Sequence, residues 1–195
     1  MQRYTVTLWK SKHETADKLF SMAFPLYATG DEISLVDGIN VALNYANENN
    51  WPRWISVGAD YKGRHSSKGW QDANCIVLEW SALSSEQVIS GLQKLGLYAI
   101  LLPTTQNASD KGDYVTAIIP CDARISSGKE YSRLASLLVS DIKAVGLIGG
   151  EANTFFAHAR KDEEAVELEA AALFSPLDEI DRSDFVKIAT YKAVS

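Results

Sequence analysis

The sequence predicts an α+β domain in which helices pack on a mainly antiparallel central sheet. Apolar stretches of strand length, such as residues 74–80, are mixed with amphipathic stretches of helical length, such as residues 128–146. The two kinds of segment do not alternate strictly, as they would around a parallel sheet. The 195 residues contain neither internal repeats nor low-complexity linkers, so a single domain over residues 1–195 is expected.

Residue periodicity predicts the elements of the first part of the chain. Residues 3–9 alternate like a half-buried strand, and residues 14–24 have a helical pattern that stops before a proline. Residues 34–50 place apolar side chains at helical spacing and end in an asparagine-rich breaker. Residues 53–61 alternate like a strand, and residues 63–73 are predicted to be a polar loop.

The rest of the chain gives clearer signals. Ser84 or Ser85 can cap a helix, and Gly96 can end it. The predicted elements, in chain order, are a buried strand at 74–80, a helix at 84–96, strands at 97–103 and 114–120, a helix at 128–146, a strand at 154–159, an acidic helix at 163–174 and a terminal strand at 185–194.

The apolar content indicates a soluble protein of a reducing compartment. The apolar stretches are too short to span a bilayer, so no membrane partner is expected. The first 18 residues carry charges throughout and lack an apolar stretch of signal-peptide length, which predicts a cytoplasmic location. Cys75 and Cys121 lie in apolar strand-like segments, so they are interpreted as core thiols rather than as a disulfide or a metal pair.

The negative charge of the chain is concentrated in one segment. Residues 161–184 hold nine acidic and two basic residues, so the rest of the chain carries +1 of the total charge of −6. A nearly neutral body argues against tight, non-specific DNA binding, although it leaves room for a small positive groove.

Several short motifs of the central region occur in a fixed order. Arg64 lies in a polar loop, and Glu79 ends a buried strand fifteen residues later. The helix from Ser84 follows, and then come LLPTTQN, VTAIIPCDARISSGKEYSRLASLL and ANTFFAHAR. Over residues 53–160 this order resembles the primase–polymerase domain of the archaeo-eukaryotic primase superfamily, in the form found in phage and plasmid replication proteins. The resemblance implies a primase–polymerase fold with an RRM-like core.

The resemblance also implies a catalytic site, and this sequence departs from it at most of the chemical positions. Family members bind two divalent cations through an Asp-x-Asp pair and a third acidic residue. The pair falls on Glu79 and Ser81, and the third acidic residue falls on Glu151. A histidine that contacts the incoming triphosphate falls on Ala108, and a strand arginine falls on Thr116. A serine is a poor ligand for Mg²⁺, so Glu79 is expected to bind metal only weakly.

Basic residues near the same strand are the candidate nucleic-acid contacts. Arg53, Lys62, Arg64 and Lys68 precede the strand that ends at Glu79. Four phosphate contacts imply a slope of roughly −3 to −4 in log affinity against log salt. Purely structural roles remain open for these residues. Charged loop residues often contact only solvent, and a glutamate at a strand end, such as Glu79, can be an edge residue or pair with a lysine.

Three functions are compatible with the sequence. The leading hypothesis is a DNA-replication protein of a phage, plasmid or mobile element, whose degenerate site does not catalyse and needs no cofactor. Such a protein would bind DNA, weakly and in a salt-sensitive way, or a replication partner. The first alternative is an active primase or polymerase that uses Glu79 and Glu151 as ligands of Mg²⁺ or Mn²⁺. The second is a protein-interaction or inhibitor module that acts through residues 161–184. The sequence indicates no oligomeric state.

Overall fold

The fold was analysed on a computed structural model of the chain. The residues that the structure describes are 4–10, 24–28, 35–51, 53–62, 68–81, 83–105, 114–146, 151–152, 157–159, 165–168 and 174. They form three helices, which are α1 (Leu35–Glu48), α2 (Ser85–Lys94) and α3 (Gly128–Ala144). The strands are β1 (Val6–Lys10), β2 (Phe24–Ala28), β3 (Trp54–Val57), β4 (Ala59–Tyr61), β5 (Trp70–Ser81), β6 (Ala99–Thr105), β7 (Tyr114–Ile125), β8 (Glu151–Ala152), β9 (Ala157–Ala159) and β10 (Val166–Leu168).

The strands form one sheet, in the order β2-β1-β3-β9-β6-β7-β5-β4. In addition, β8 pairs with β5, and β10 pairs with β6. Every ladder between these strands is antiparallel. An isolated parallel bridge joins Cys121 to Phe174. The prediction of an α+β fold with a mainly antiparallel sheet is therefore confirmed.

The centre of the sheet has the predicted RRM-like organisation. Elements β5-α2-β6-β7-α3-β8 follow each other along the chain, and their strands lie in the spatial order β8-β5-β7-β6. This is the βαββαβ arrangement of ferredoxin-like and RRM domains. The strand of Glu79 was expected to lie next to the strands at 97–103 and 114–120, but only the second pairing is observed, because β7 separates β5 from β6. An antiparallel βαββαβ unit places its third strand between the first two.

Helices cover both faces of the sheet. We call face A the face on which α2 and α3 pack, and face B the opposite face, on which α1 packs. Ile76, Leu78 and Trp80 of β5 belong to the core on face A, whereas Cys75 and Val77 belong to the core on face B. Strands covered on both sides have continuous apolar sequences. For the same reason β1 is buried on both faces, and not half-buried as its alternation predicted.

The chain between β5 and β6 folds as its sequence indicates. Ser84 accepts a hydrogen bond from the backbone of Gln87, whose side chain returns to the backbone of Ser84 in a capping box. These two bonds satisfy backbone N–H groups that otherwise have no acceptor at the start of a helix. Gly96 ends the segment with a φ of +65°, which glycine adopts readily. Ser127 caps α3 in a similar way by accepting from the backbone of Glu130.

The predicted strand at 53–61 is divided into β3 and β4 at Gly58. Gly58 has a φ of +66°, and its amide donates to the carbonyl of Thr5 at 2.8 Å. Its carbonyl accepts from the amide of Asn74 at 2.7 Å. A Cβ atom at this position would lie 2.3 Å from Sγ of Cys75. The side chains of Asn74 and Cys75 therefore occupy the space that a side chain at position 58 would need.

Tyr131 of α3 satisfies a backbone donor at the edge of β5. On this edge β4 pairs with the start of β5, and β8 pairs with Leu78 and Glu79. Between these two partners, the amide of Val77 donates to the phenol oxygen of Tyr131 at 3.0 Å. Burial raises the pKa of the Tyr131 phenol, so the group stays neutral. One helix side chain thus takes the place of a neighbouring strand.

The acidic helix predicted at 163–174 is wrong, because residues 166–168 form strand β10 on the edge of β6. Local helix propensity is weak and yields to pairing with an open strand edge. Ala165, Leu168 and Phe174 are buried, and Ala165 donates to Oδ1 of Asn40 on α1 at 2.9 Å. The described part of the acidic segment is therefore integrated into the fold.

Three further predictions lie partly or wholly outside the described residues. The polar loop at 63–73 is shorter than predicted, because β5 already begins at Trp70 where it pairs with β4. The predicted helix at 14–24 lies outside the described residues, except that Phe24 opens β2, which the sequence reading missed. The predicted strand at 185–194 lies wholly outside them.

Cys75 and Cys121 are free and buried, as predicted. Burial raises the pKa of Cys121 to about 12 and that of Cys75 well above its usual value, so both thiols stay protonated. Of the helices that the structure describes, none combines the length and the apolarity needed to cross a bilayer.

Candidate functional site

Glu79 lies two residues before the end of β5, where face B is no longer fully covered. The side chain is half-buried, and Ser81 at the end of the same strand is exposed. Alternation along the strand places both residues on face B with Cys75 and Val77. The core that α1 forms on face B extends along β5 as far as Val77. The candidate site is therefore located on the sheet face opposite α2 and α3.

Glu151 occupies the register position directly opposite Glu79. Strand β8 pairs with β5 through Leu78–Ala152 and Glu79–Glu151. These two acidic residues are distant in sequence and adjacent in the sheet, so the site brings together two of the three predicted acidic-ligand positions. The register therefore places the two positions directly opposite each other across the strand pair.

A chain of hydroxyl groups extends from Glu79 across β7 to β6. The Thr116 hydroxyl donates to Oε2 of Glu79 at 3.5 Å, and Oγ1 of Thr104 lies 2.9 Å from Oγ1 of Thr116. Because Thr116 has a single hydroxyl proton, which goes to Glu79, Thr104 is the donor of the second bond. Both threonines are 0% exposed. Their hydroxyl groups consequently hydrogen-bond each other and not a molecule in solution.

The position where the resemblance places an arginine is thus closed to solvent. Thr116 pairs in register with Glu79 on one side and with Leu102 on the other. It lies in the central strand of the RRM-like unit, between two packed neighbours. Ala108, where the resemblance places a histidine, lies outside the described residues.

The predicted basic cluster does not assemble beside Glu79. Arg53 is 4% exposed, because it directly precedes β3 in the interior of the sheet. Lys62 and Lys68 are exposed and flank the turn between β4 and β5. Arg64 lies outside the described residues. Nine residues separate Trp70 at the start of β5 from Glu79, a distance of about 30 Å along an extended strand. The basic turn and the acidic site are therefore at opposite ends of β5.

The base of the β4–β5 hairpin has its own charge arrangement. Asp60 and Asp72 are directly paired across the two strands. Arg124 of β7 donates to Oδ2 of Asp60 at 3.1 Å and also contacts Asp72. The bond to Asp60 raises the pKa of Arg124, so the guanidinium stays charged. One cation accordingly faces two carboxylates, which leaves a local formal charge of −1 (+1 − 2).

Sequence reasoning missed the roles of Thr104 and Tyr131. Both residues belong to motifs that were noted for their order, LLPTTQN and GKEYSRL. The interaction partners are Thr116 for Thr104 and the Val77 backbone for Tyr131. Periodicity assigns a residue to a face, but it does not indicate which distant polar group that residue meets.

The described residues contain no group of three or more His, Cys, Asp and Glu side chains arranged to hold a metal ion. The described hydroxyl groups near Glu79 are those of Thr116 and Thr104.

The fold and the site define an α+β protein with an RRM-like core and paired acidic positions near the end of a central strand. No protein-family model matches the chain, and no curated protein matches it. Among solved structures, the chain is similar to the AEP domain of the primase–polymerase (PrimPol) of cyanophage S-2L, with 13% identity and a TM-score of 0.47. The alignment covers 92% of this chain and 86% of that one.

Proposed function

We propose that this chain is a DNA-replication protein of a phage, plasmid or mobile element, with a primase–polymerase-like domain that binds DNA or a replication partner without catalysing nucleotide addition. The observation that carries the proposal is the burial of Thr116. It is 0% exposed and bonded to Thr104 and Glu79. A residue in that state does not contact a triphosphate.

The arrangement of elements supports the primase–polymerase-like part of the proposal. The resemblance places Glu79 near the end of a central strand, beside the strand that contains residues 114–120. It also places the helix at 128–146 across one face of the sheet. These positions correspond to β5, β7 and α3. The position of β5 beside β7, with α3 packed across one face, therefore supports the proposal, although β6 was also expected beside β5 and is separated from it by β7.

The donor set does not fit a pair of divalent cations. Mg²⁺ requires near-octahedral oxygen coordination, usually with carboxylates and substrate phosphates. Ser81 replaces one carboxylate of the expected pair, and the Thr116 hydroxyl is already bonded. No catalytic step that requires two cations is therefore assigned to this chain.

The DNA-binding part of the proposal is tested at the β4–β5 hairpin. Lys62 and Lys68 are the described members of the basic cluster that are exposed. The double variant Lys62→Gln/Lys68→Gln should reduce the steepness of log affinity against log salt by roughly 1.8, as expected for two lost duplex phosphate contacts. Fluorescence anisotropy with a labelled duplex between 50 and 200 mM salt measures this slope. Absence of binding by the unmodified protein at 50 mM salt would remove DNA as its partner.

An active primase or polymerase is the second candidate, and the Glu79–Glu151 register favours it. Two acidic residues at opposite positions can share one cation. Under the leading proposal, however, no template-dependent incorporation is expected with Mg²⁺ or Mn²⁺ on primed or unprimed single strands. The matched control is Glu86→Gln, at an exposed residue of α2. Nucleotide incorporation that disappears in Glu79→Gln and persists in Glu86→Gln would replace the leading proposal with the second candidate.

Deletion of residues 161–184 is not a suitable test of the hypothesis that this acidic segment binds a protein partner. Removal of residues 161–184 would take Ala165, Leu168 and Phe174 out of the core. Neutralising substitutions at exposed acidic residues, such as Glu167→Gln, change the charge and leave this anchoring intact.

A further inference from the structure

The outward surface of α3 carries basic and hydroxyl side chains. The helix buries Tyr131, Leu134, Ala135, Leu138 and Ile142 against the sheet. At about 100° per residue, the side chains opposite this stripe form one continuous face. We call it the basic face of α3, and its members are Lys129, Ser132, Arg133, Ser136, Ser140 and Lys143. All of them are exposed except Arg133, which is half-buried.

The acidic residues of α3 are displaced from this face. Glu130 and Asp141 are half-buried and lie roughly 60–160° around the helix from the three cationic residues, nearest to Arg133. Three cationic residues therefore share the face with serines only. This distribution contrasts with the whole chain, whose formal charge is −6.

We infer that the basic face of α3 binds the sugar–phosphate backbone of nucleic acid. The inference rests on the proposed function and assigns it a surface that the resemblance does not include. Phosphate oxygens are contacted mainly by Arg, Lys and small hydroxyl side chains, which is the composition of this face. Serines are short, so they let a backbone approach the helix between the longer cationic side chains.

The dimensions of the face suit a short stretch of backbone. Lys129 and Lys143 are separated by about 21 Å at 1.5 Å per residue. That length corresponds to about six nucleotides at 3.4 Å per nucleotide of one strand. The hydroxyls of Ser132 and Ser136 donate to the carbonyls four residues before them, at 2.9 and 2.8 Å. Those carbonyls belong to the helix ladder, so rotating a hydroxyl towards a phosphate leaves them bonded.

The basic face is separate from the other candidate surfaces. It lies on the outside of face A, whereas Glu79 lies on face B. The lysines of the β4–β5 hairpin belong to different elements. A charge change on α3 therefore tests this surface without altering the acidic site.

The experiment compares two variants that change the net charge by the same amount. The first is Lys129→Gln/Arg133→Gln/Lys143→Gln on the basic face. The matched control is Asn44→Asp/Asn47→Asp on α1, which packs on face B, combined with Asn50→Asp in the turn after it, and these three asparagines are exposed. Thermal unfolding confirms that both variants are folded. Anisotropy is then measured with a labelled 20-nucleotide duplex at 50 and 200 mM salt.

Three phosphate contacts would weaken duplex binding roughly 40-fold between these salt concentrations. The α3 variant is expected to lose that dependence and to bind at least tenfold more weakly at 50 mM salt, while the α1 control changes less than threefold. Equal binding by the α3 variant and the unmodified protein would overturn this inference and leave the proposed function intact. Failure of the unmodified protein to bind at all would overturn the proposed DNA binding as well. Preferential binding of poly-L-glutamate over DNA would reassign the face to an acidic protein partner.

Discussion

Gly58→Ala is expected to lower the free energy of unfolding by about 2–5 kcal/mol, the sum of a left-handed backbone cost and an overpacking cost. The left-handed term follows from the φ of +66°. The overpacking term follows from the Sγ and Cβ atoms of Cys75, which would lie 2.3 and 2.6 Å from the new methyl group. Chemical denaturation monitored by tryptophan fluorescence measures the loss.

Gly96→Ala separates the two contributions to this loss. Gly96 has nearly the same φ, +65°, and its Cβ would have no neighbour within 4 Å. Alanine there should cost only about 1–2 kcal/mol, the left-handed term alone. Equal losses in the two variants would show that the close approach of Cys75 to Gly58 does not contribute.

Tyr131→Phe should destabilise the protein by about 1–3 kcal/mol, because it leaves the buried amide of Val77 without its acceptor. The ring remains, so packing on face A is nearly unchanged and the loss reports on the hydrogen bond. Since burial raises the pKa of the phenol, the difference between the two proteins should be the same at pH 7 and pH 9.

Tyr45→Phe is the matched control for the removal of a phenol hydroxyl. Tyr45 is 48% exposed on α1, so its loss should change stability by less than about 0.5 kcal/mol. If Tyr131→Phe changed stability as little as this control, the amide of Val77 at the edge of β5 would have to find another acceptor.

The parts of the fold that the sequence predicted are those set by local patterns. Continuous apolar segments identified β5, β6 and β7, because strands covered on both faces need no polar side. Helical spacing identified α1, α2 and α3 with boundaries close to the observed ones. Strands of two or three residues, such as β8 and β10, could not be predicted in this way. Their existence depends on the open edges of β5 and β6, which are formed elsewhere in the chain.

The candidate site was predictable only through the resemblance. It placed Glu79 and Glu151 together, and the register of β8 on β5 agrees with that placement. The basic residues were chosen for their closeness in sequence to β5, which does not determine where they lie in space. Arg53 enters the interior, and Lys68 lies two residues before the strand whose far end carries Glu79. Residues at the two ends of the twelve-residue strand β5 are close in sequence, but they lie a full strand length apart in space.

Strand β9 determines when the sheet can be completed. It lies between β3 and β6, where Trp54 and Thr105 both pair with His158. During synthesis, the N-terminal strands can pair with each other early, but the ladder that joins β3 to β6 requires residues 157–159. Pairings between such distant parts of a chain are slow to form, because a long loop must close first. This ladder can therefore form only after most of the chain has been synthesised.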